Sequence, residues 1–343
     1  MPRGCSQITG AEAAAVVNNN AGATLLALSA LARGREVVVS RGQLVEIGGS
    51  YRLPEVMECS GAVLREVGTT NKTRSSDYRA AIRPETAALM RVHCSNFAIV
   101  GFVEETPLAE LVELGRKHNL LVIDDIGSGA LGDLSRFGLT SEPLATESIK
   151  AGADVVLFSG DKLLGGPQCG IILGKKPSLQ RITEHPLMRA LRVDKLTLAA
   201  LAATLRLHQD PQAAERSIPL LALLSTPLAN LQNRAERMAP QLAACSALAA
   251  AEPVASHTYV GGGSLPTQQI PTWCVALTPA KGDVGALAKS LRAGTPPVFG
   301  RVQKEQLLLD LRSVFPRQDV QIVEAVAGLS GTATSADAVA APS

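Results

Sequence analysis

The feature that most constrains this chain is the rhythm of its first 175 residues, where short apolar runs alternate with segments whose polar positions recur at helical spacing. EVVVS (36–40), ALMRVH (88–93), LLVIDDI (120–126), VVLFS (155–159) and GIILG (170–174) are the runs, and LAELVELGRKHNL (108–120) is one of the intervening helical patterns. Apolar runs with no alternating polar face read as strands covered on both sides. Strands of that kind alternating with helices predict an α/β domain built on a mainly parallel sheet. From about residue 195 the texture becomes Ala/Leu-rich and helical, in TLAALAATLRLH (197–208) and then through 219–250. PVFGRV (297–302) and LLLDLRSV (307–314) read as strands of a smaller α+β domain, with a helix near 318–328. The expected division is a large α/β domain over 1–205, a small C-terminal α+β domain over 206–329 and a disordered tail of small polar residues over 330–343.

Composition excludes several classes. With 343 residues, 46% hydrophobic and 19% charged, the chain is globular and long enough for a large and a smaller domain. A net charge of +2 decides nothing about nucleic acid, because a local basic patch can hide in a neutral total. The six cysteines are scattered with no CxxC pair, which argues against a disulfide framework or a metal site and fits a reducing cytoplasm. No apolar stretch approaches the roughly 20 residues that span a bilayer. A cytoplasmic location is expected, with neither membrane nor DNA among the partners.

The run FSGDKLLGGPQCG (158–170) carries the chemistry. Lys162 follows a buried strand and precedes a glycine-rich turn, so its amine is delivered into whatever cleft opens at the strand's carboxyl end. Desolvation of an amine favours its neutral, nucleophilic form, able to condense with a carbonyl. In the same run, Ser159 is placed to hydrogen-bond a phosphate, and Asp161 to relay protons or simply pair with the lysine.

Three further segments fit one ligand. VVNNNAGATLLALSALA (16–32) reads as strand, polar turn and helix, and the amides of such a helix N-terminus suit a phosphate. Ordinary Asn capping explains that turn equally well, and the spacing leaves open which of Asn18, Asn19 and Asn20 would touch the phosphate. IDDIGSG (123–129) ends a buried strand in two carboxylates on opposite faces, so only one of Asp124 and Asp125 can meet a protonated pyridine nitrogen. A metal ligand or a helix cap is the other reading of that pair. HCSNF (93–97) is another polar strand end, where Asn96 is placed to donate to a phenolate oxygen. Phosphate cradle, acid, lysine and polar strand ends together describe a pyridoxal-phosphate site.

Blocks along most of the chain carry a resemblance. TGAEAAAVVNNNAGA (9–23), EVVVSRGQLVEIGGSYRLPEVM (36–57), EVGTTNKTRSSDY (66–78), DDIGSGAL (124–131), FSGDKLLGGPQCGIILGKK (158–176), HPLMRALRVDKLTLAALAATLRL (185–207), GGGSLP (261–266) and PPVFGRVQKEQLLLDLR (296–312) resemble the bacterial L-seryl-tRNA(Sec) selenium transferases. The resemblance implies the aspartate-aminotransferase-like (type I) fold, with a seven-stranded sheet, and pyridoxal 5'-phosphate as cofactor. It implies Lys162 as the cofactor-anchoring lysine, Asp125 as the partner of the ring nitrogen and Ser128 near the ring oxygen. Arg189 and Arg192 would bind selenophosphate, since two arginines three apart on a helix share a face and can grip one oxyanion. His93 and His185 lie inside matching blocks but read as core or loop histidines.

The implied reaction is loss of the β-hydroxyl of seryl-tRNA(Sec), with Lys162 taking the α-proton, and addition of selenium from selenophosphate. The implied assembly is a homo-oligomer, a dimer or a ring of dimers, with active sites between subunits. Family members also carry an N-terminal segment with a small tRNA-binding domain ahead of the TGAE block, so an N-terminally truncated chain is expected. A lyase of the same fold acting on a small amino acid or amino sugar acid, and an inactive truncated subunit, are the alternative readings.

Overall fold

The computed structural model describes residues 2–331 apart from Ser50, Ser141 and Gly262; most of the tail expected to be disordered, from 332 onward, lies outside the described residues. The chain forms two compact units, one of residues 1–221 with 260–268 and one of 222–259 with 269 onward. The change of texture near 195–205 therefore precedes the boundary between units, because the helix Pro211–Ser217 packs on the preceding helix.

Seven strands form the sheet of the first unit: β1 (Ala13–Val17), β2 (Glu36–Ser40), β3 (Val63–Val67), β4 (Thr86–Val92), β5 (Leu121–Gly127), β6 (Val155–Ser159) and β7 (Gly170–Gly174). Their order is β1-β7-β6-β5-β4-β2-β3. β3, β2, β4, β5 and β6 run parallel, and β7 lies antiparallel between β6 and β1. The carboxyl ends of β4, β5 and β6 therefore emerge at one edge, where open α/β sheets place their ligands.

Both faces are covered, as continuous apolar strands require. Helix α1 (Asn20–Ala32) buries Leu26, Leu28 and Leu31 in one core with Val37, Val39, Met90, Ile123 and Leu157. Helix α2 (Leu108–His118) buries Leu111 and Val112 on the opposite face with Val38, Leu89 and Val122. Successive strand residues thus alternate between two cores. β3, a sheet-edge strand of sequence VLREV, was not apparent from the residues because only Val67 is buried.

Apart from 260–268, which belong to the first unit, β8 (Leu248–Gly261), β9 (Ser264–Pro279), β10 (Arg301–Gln303) and β11 (Gln306–Asp310) make up the sheet of the second unit, of order β8-β9-β11-β10, in which β11 runs antiparallel to β9 and to β10. Helices α4 (Leu228–Ala243), α5 (Val284–Ala293) and α6 (Asp319–Ala327), which follow α3 (Lys195–Leu207) of the first unit, share a core with that sheet through Leu231, Met238, Leu287, Leu291, Val275, Leu309 and Val326.

Three expectations change here. The stretch 219–250 is not one helical region. It holds a short helix Pro219–Leu224, then α4 entered at Pro227, and already begins β8 at Leu248. PVFGRV becomes strand only from Arg301. LLLDLRSV leaves the strand at Asp310, whose carboxylate caps the turn Leu311–Ser313 by accepting from the Arg312 amide at 3.1 Å.

Candidate functional site

Register builds the site. Val92 pairs with Asp125 and Asp125 with Leu157, while the His93 amide donates to the Asp125 carbonyl at 2.8 Å. The ends of three adjacent parallel strands thereby bring His93, Asp125 and Ser159 to a cavity of about 340 Å³, with Lys162 on the turn that follows β6. That turn is pinned rather than loose: Gly160 N donates to Cys169 O at 2.8 Å, Leu163 N to Ser128 O at 3.1 Å and Gly165 N to Lys162 O at 2.9 Å. Lys162 is half-buried and Asp161 exposed, both on the cavity wall. At Gly170 a Cβ would overlap the carbonyl of Asn19, so glycine is what lets β7 approach the turn before α1.

The two carboxylates of β5 part company as their opposite faces require. Asp124, fully buried, is held by Arg91 in a two-point ion pair at 2.7 and 2.8 Å, away from the lysine cavity. Asp125 faces the cavity and has only neutral donors. Asn20 Nδ2 reaches its Oδ1 at 2.9 Å, Gly127 N the same oxygen at 3.0 Å, and Thr24 Oγ1 its Oδ2 at 3.1 Å. Gly127 makes its bond with a left-handed backbone at φ 63°, which favours glycine. Burial pushes the Asp125 carboxyl above its ordinary value; the donors Asn20, Gly127 and Thr24 oppose that shift, and the charge of Asp124 adds to it.

The remaining expected residues divide. Asn19 and Asn20 line the cavity, with their side chains engaged: Asn19 caps α1 by accepting from Gly22 N at 2.7 Å, and Asn20 holds Asp125. Ser159 also lines it. Asn96 donates to the Glu46 carbonyl at 2.8 Å rather than into the cavity. Ser128 is fully buried, its hydroxyl on the Ile126 carbonyl and the Glu142 carboxylate.

The arginines do not share a helical face. Arg189 sits in the four-residue helix Leu187–Ala190, which has ended before Arg192, itself in a bridge to Val17. Both are exposed and neither lines the Lys162 cavity. Two larger hollows of about 560 and 820 Å³ in the same unit lack Lys162 and Asp125, and the second is mainly apolar.

Several cavity residues were not anticipated. Tyr51 arrives from EIGGSYR, within a block already conspicuous as a motif, and Gln168 from GGPQCG. Ser95 stands beside Asn96 in HCSNF, and His93, read as a core or loop residue, forms part of the wall, with Nε2 3.6 Å from Glu142. Nothing local in the chain marks Thr24, which becomes notable only as the residue one helical turn beyond Asn20.

A ligand with a carbonyl, a basic ring nitrogen and a phosphate matches this set: an amine, a buried carboxylate without a cationic partner among the described residues, and the N-terminus of α1. The Oδ1 of Asn20 and the Oγ of Ser95 are buried on the cavity wall with no hydrogen-bond partner among the described residues. Such orphaned groups are costly unless something polar meets them. Among the described residues no His/Cys/Asp/Glu group could hold a metal ion, and no helix is long and apolar enough to cross a membrane.

Comparison with known proteins agrees with this chemistry. A family model described as L-seryl-tRNA selenium transferase matches residues 3–315. The L-seryl-tRNA(Sec) selenium transferase of Moorella thermoacetica is 50% identical over 321 residues, covering 93% of this chain and 68% of its own length. That of Geotalea uraniireducens is 53% identical over 309 residues, covering 90% and 67%. Among solved structures, D-glucosaminate-6-phosphate ammonia-lyase superposes with a TM-score of 0.67 at 19% identity, over 96% of this chain and 84% of that one. This likeness shows the fold, an α/β fold on a mainly parallel sheet.

Proposed function

This chain belongs to the L-seryl-tRNA selenium transferase family, and from that premise we propose that it converts L-seryl-tRNA(Sec) to L-selenocysteinyl-tRNA(Sec) with selenophosphate as donor and pyridoxal phosphate on Lys162. The observation that carries the reading is Lys162 in one cavity with Asp125, a buried carboxylate whose partners are all neutral. When bound, the cofactor supplies an electron sink for the carbanion at the substrate α-carbon.

The chain's own groups supply the rest. Asp125 would hold the proton on the ring nitrogen, and the α1 N-terminus with Ser159 would hold the phosphate. The Lys162 amine would receive the α-proton of the seryl group, and Asp161 at the exposed rim would pass protons to and from solvent. The balance is the β-hydroxyl leaving as water, selenium of selenophosphate bonding to the β-carbon as a proton returns to the α-carbon, and a water breaking the Se–P bond to release phosphate. Arg189 and Arg192, exposed and outside the cavity of their own protomer, serve as the selenophosphate clamp in a site completed by a second subunit, as a homo-oligomer allows.

The test supplies pyridoxal phosphate, seryl-tRNA(Sec) and selenophosphate and measures selenocysteinyl-tRNA(Sec). Product from the wild type and none from Lys162→Ala is the expected result. A wild type that takes up the cofactor on Lys162 yet forms no product overturns the proposal.

A further inference from the structure

Asn20 and Thr24 lie four residues apart on α1, so they share a face at the end of the helix that meets β5. From that one face they reach both oxygens of Asp125, Asn20 to Oδ1 at 2.9 Å and Thr24 to Oδ2 at 3.1 Å. Thr24 is fully buried, and its single hydroxyl hydrogen has two acceptors in range, the Asn20 carbonyl at 3.0 Å and the carboxylate. The charged acceptor is the stronger.

We infer that Asn20 and Thr24 are positioning residues that hold the Asp125 carboxylate, oriented and charged, towards a cationic ring nitrogen in the Lys162 cavity. The inference rests on the reading that this cavity takes pyridoxal phosphate. It reassigns Asn20 from the phosphate to the acid. The other titratable groups around Asp125 are Asp124 beside it on β5, engaged by Arg91, His93 at the end of β4, and Asp161 and Lys162 on the turn after β6. None of these donates to either Asp125 oxygen among the described residues, so the positioning falls to the two neutral side chains and the Gly127 amide.

The test titrates the full chain with pyridoxal phosphate and follows the visible absorption band of the lysine-bound cofactor. Thr24→Val is expected to raise Kd about tenfold, the scale of one hydrogen bond to a charged group, and Asn20→Ala by a similar factor. Thr24→Ser keeps the hydroxyl and should stay within about twofold. In an Asp125→Asn background Thr24→Val should add less than about twofold, because the charge it served is gone.

Equal losses for Thr24→Ser and Thr24→Val, or the same loss in both backgrounds, would make Thr24 a packing residue and overturn the inference. Should Thr24→Val not fold, Asn20→Ala on the cavity wall decides: an unchanged Kd sinks the inference. A wild type with no Lys162-dependent band defeats the cofactor reading and this one together, whereas a normal wild-type band with unmoved variants defeats this one alone.

Discussion

Each unit of the molecule buries an aspartate, and the two are treated differently. In the second unit Asp319 is clamped by Arg234 at 2.6 and 3.1 Å and by Arg237 at 3.1 Å, and Arg234 spends its remaining donors on the carbonyls of Leu311 and Val314. In the first unit Asp125 is as deeply buried, at 4% exposure against 5%, yet every donor that reaches it is neutral. Asp124, its neighbour on β5, follows the pattern of Asp319, with Arg91 as counter-charge. A carboxylate neutralised inside its own unit is a fastening. One surrounded only by amides and hydroxyls has its charge still to be matched, and a cation arriving with a ligand can match it.

The sharpest way to break that comparison is Arg234→Met. It strands Asp319 in a buried position, for which a loss of about 3–5 kcal/mol in unfolding free energy is expected, with cofactor affinity of the surviving folded protein unchanged. Urea unfolding reads the first and spectroscopic titration the second; a loss below about 1 kcal/mol would mean that Arg237 alone is a sufficient partner.

Asp125→Asn should behave oppositely in the cofactor-free protein. Burial raises the folded carboxyl above its unfolded value, so its contribution to stability is fully present below the ordinary carboxylate range and is lost as pH rises through the folded value. The amide does not titrate and can be accommodated, because the Thr24 hydroxyl can turn to the Asn20 carbonyl and accept from the new amine. The variant should therefore gain on the wild type from acid to neutral pH in parallel unfolding curves, while binding cofactor more weakly. A gain that runs the other way would place Asp125 with Asp319 among the fastenings.

The smallest effect is expected at an exposed pair. Arg41 and Glu66 meet at 3.0 Å with about half of each side chain in solvent (51% and 41%). Arg41→Ala should cost no more than about 0.5 kcal/mol by the same unfolding assay, and less at high salt.

The central strands were legible because a strand buried on both faces must be apolar throughout, as VVLFS and GIILG are. The place of Lys162 at the sheet's edge was legible because it lies three residues after such a strand. The hairpin of β8 and β9 was not: LAAAEPVASHTYVG exposes alternate residues along a chain of alanines, with a proline inside it, and alanine carries no preference for strands. The arginine pair misled for a related reason. Spacing of three implies a shared face only while the helix lasts, and this helix stops at Ala190. Asn20 could be placed at the site from its position after a strand, but its partner lies 105 residues away on another strand.

By itself the sequence determined the parallel sheet, the lysine at its edge and the requirement that two adjacent aspartates face opposite ways, since hydrophobic period and strand alternation are local properties. Only the tertiary structure decided which aspartate was already neutralised. That choice depends on Arg91 reaching across from β4 to Asp124, and on Asn20 and Thr24 descending from α1 onto Asp125. Partners brought together by sheet order leave no trace in the spacing of either segment.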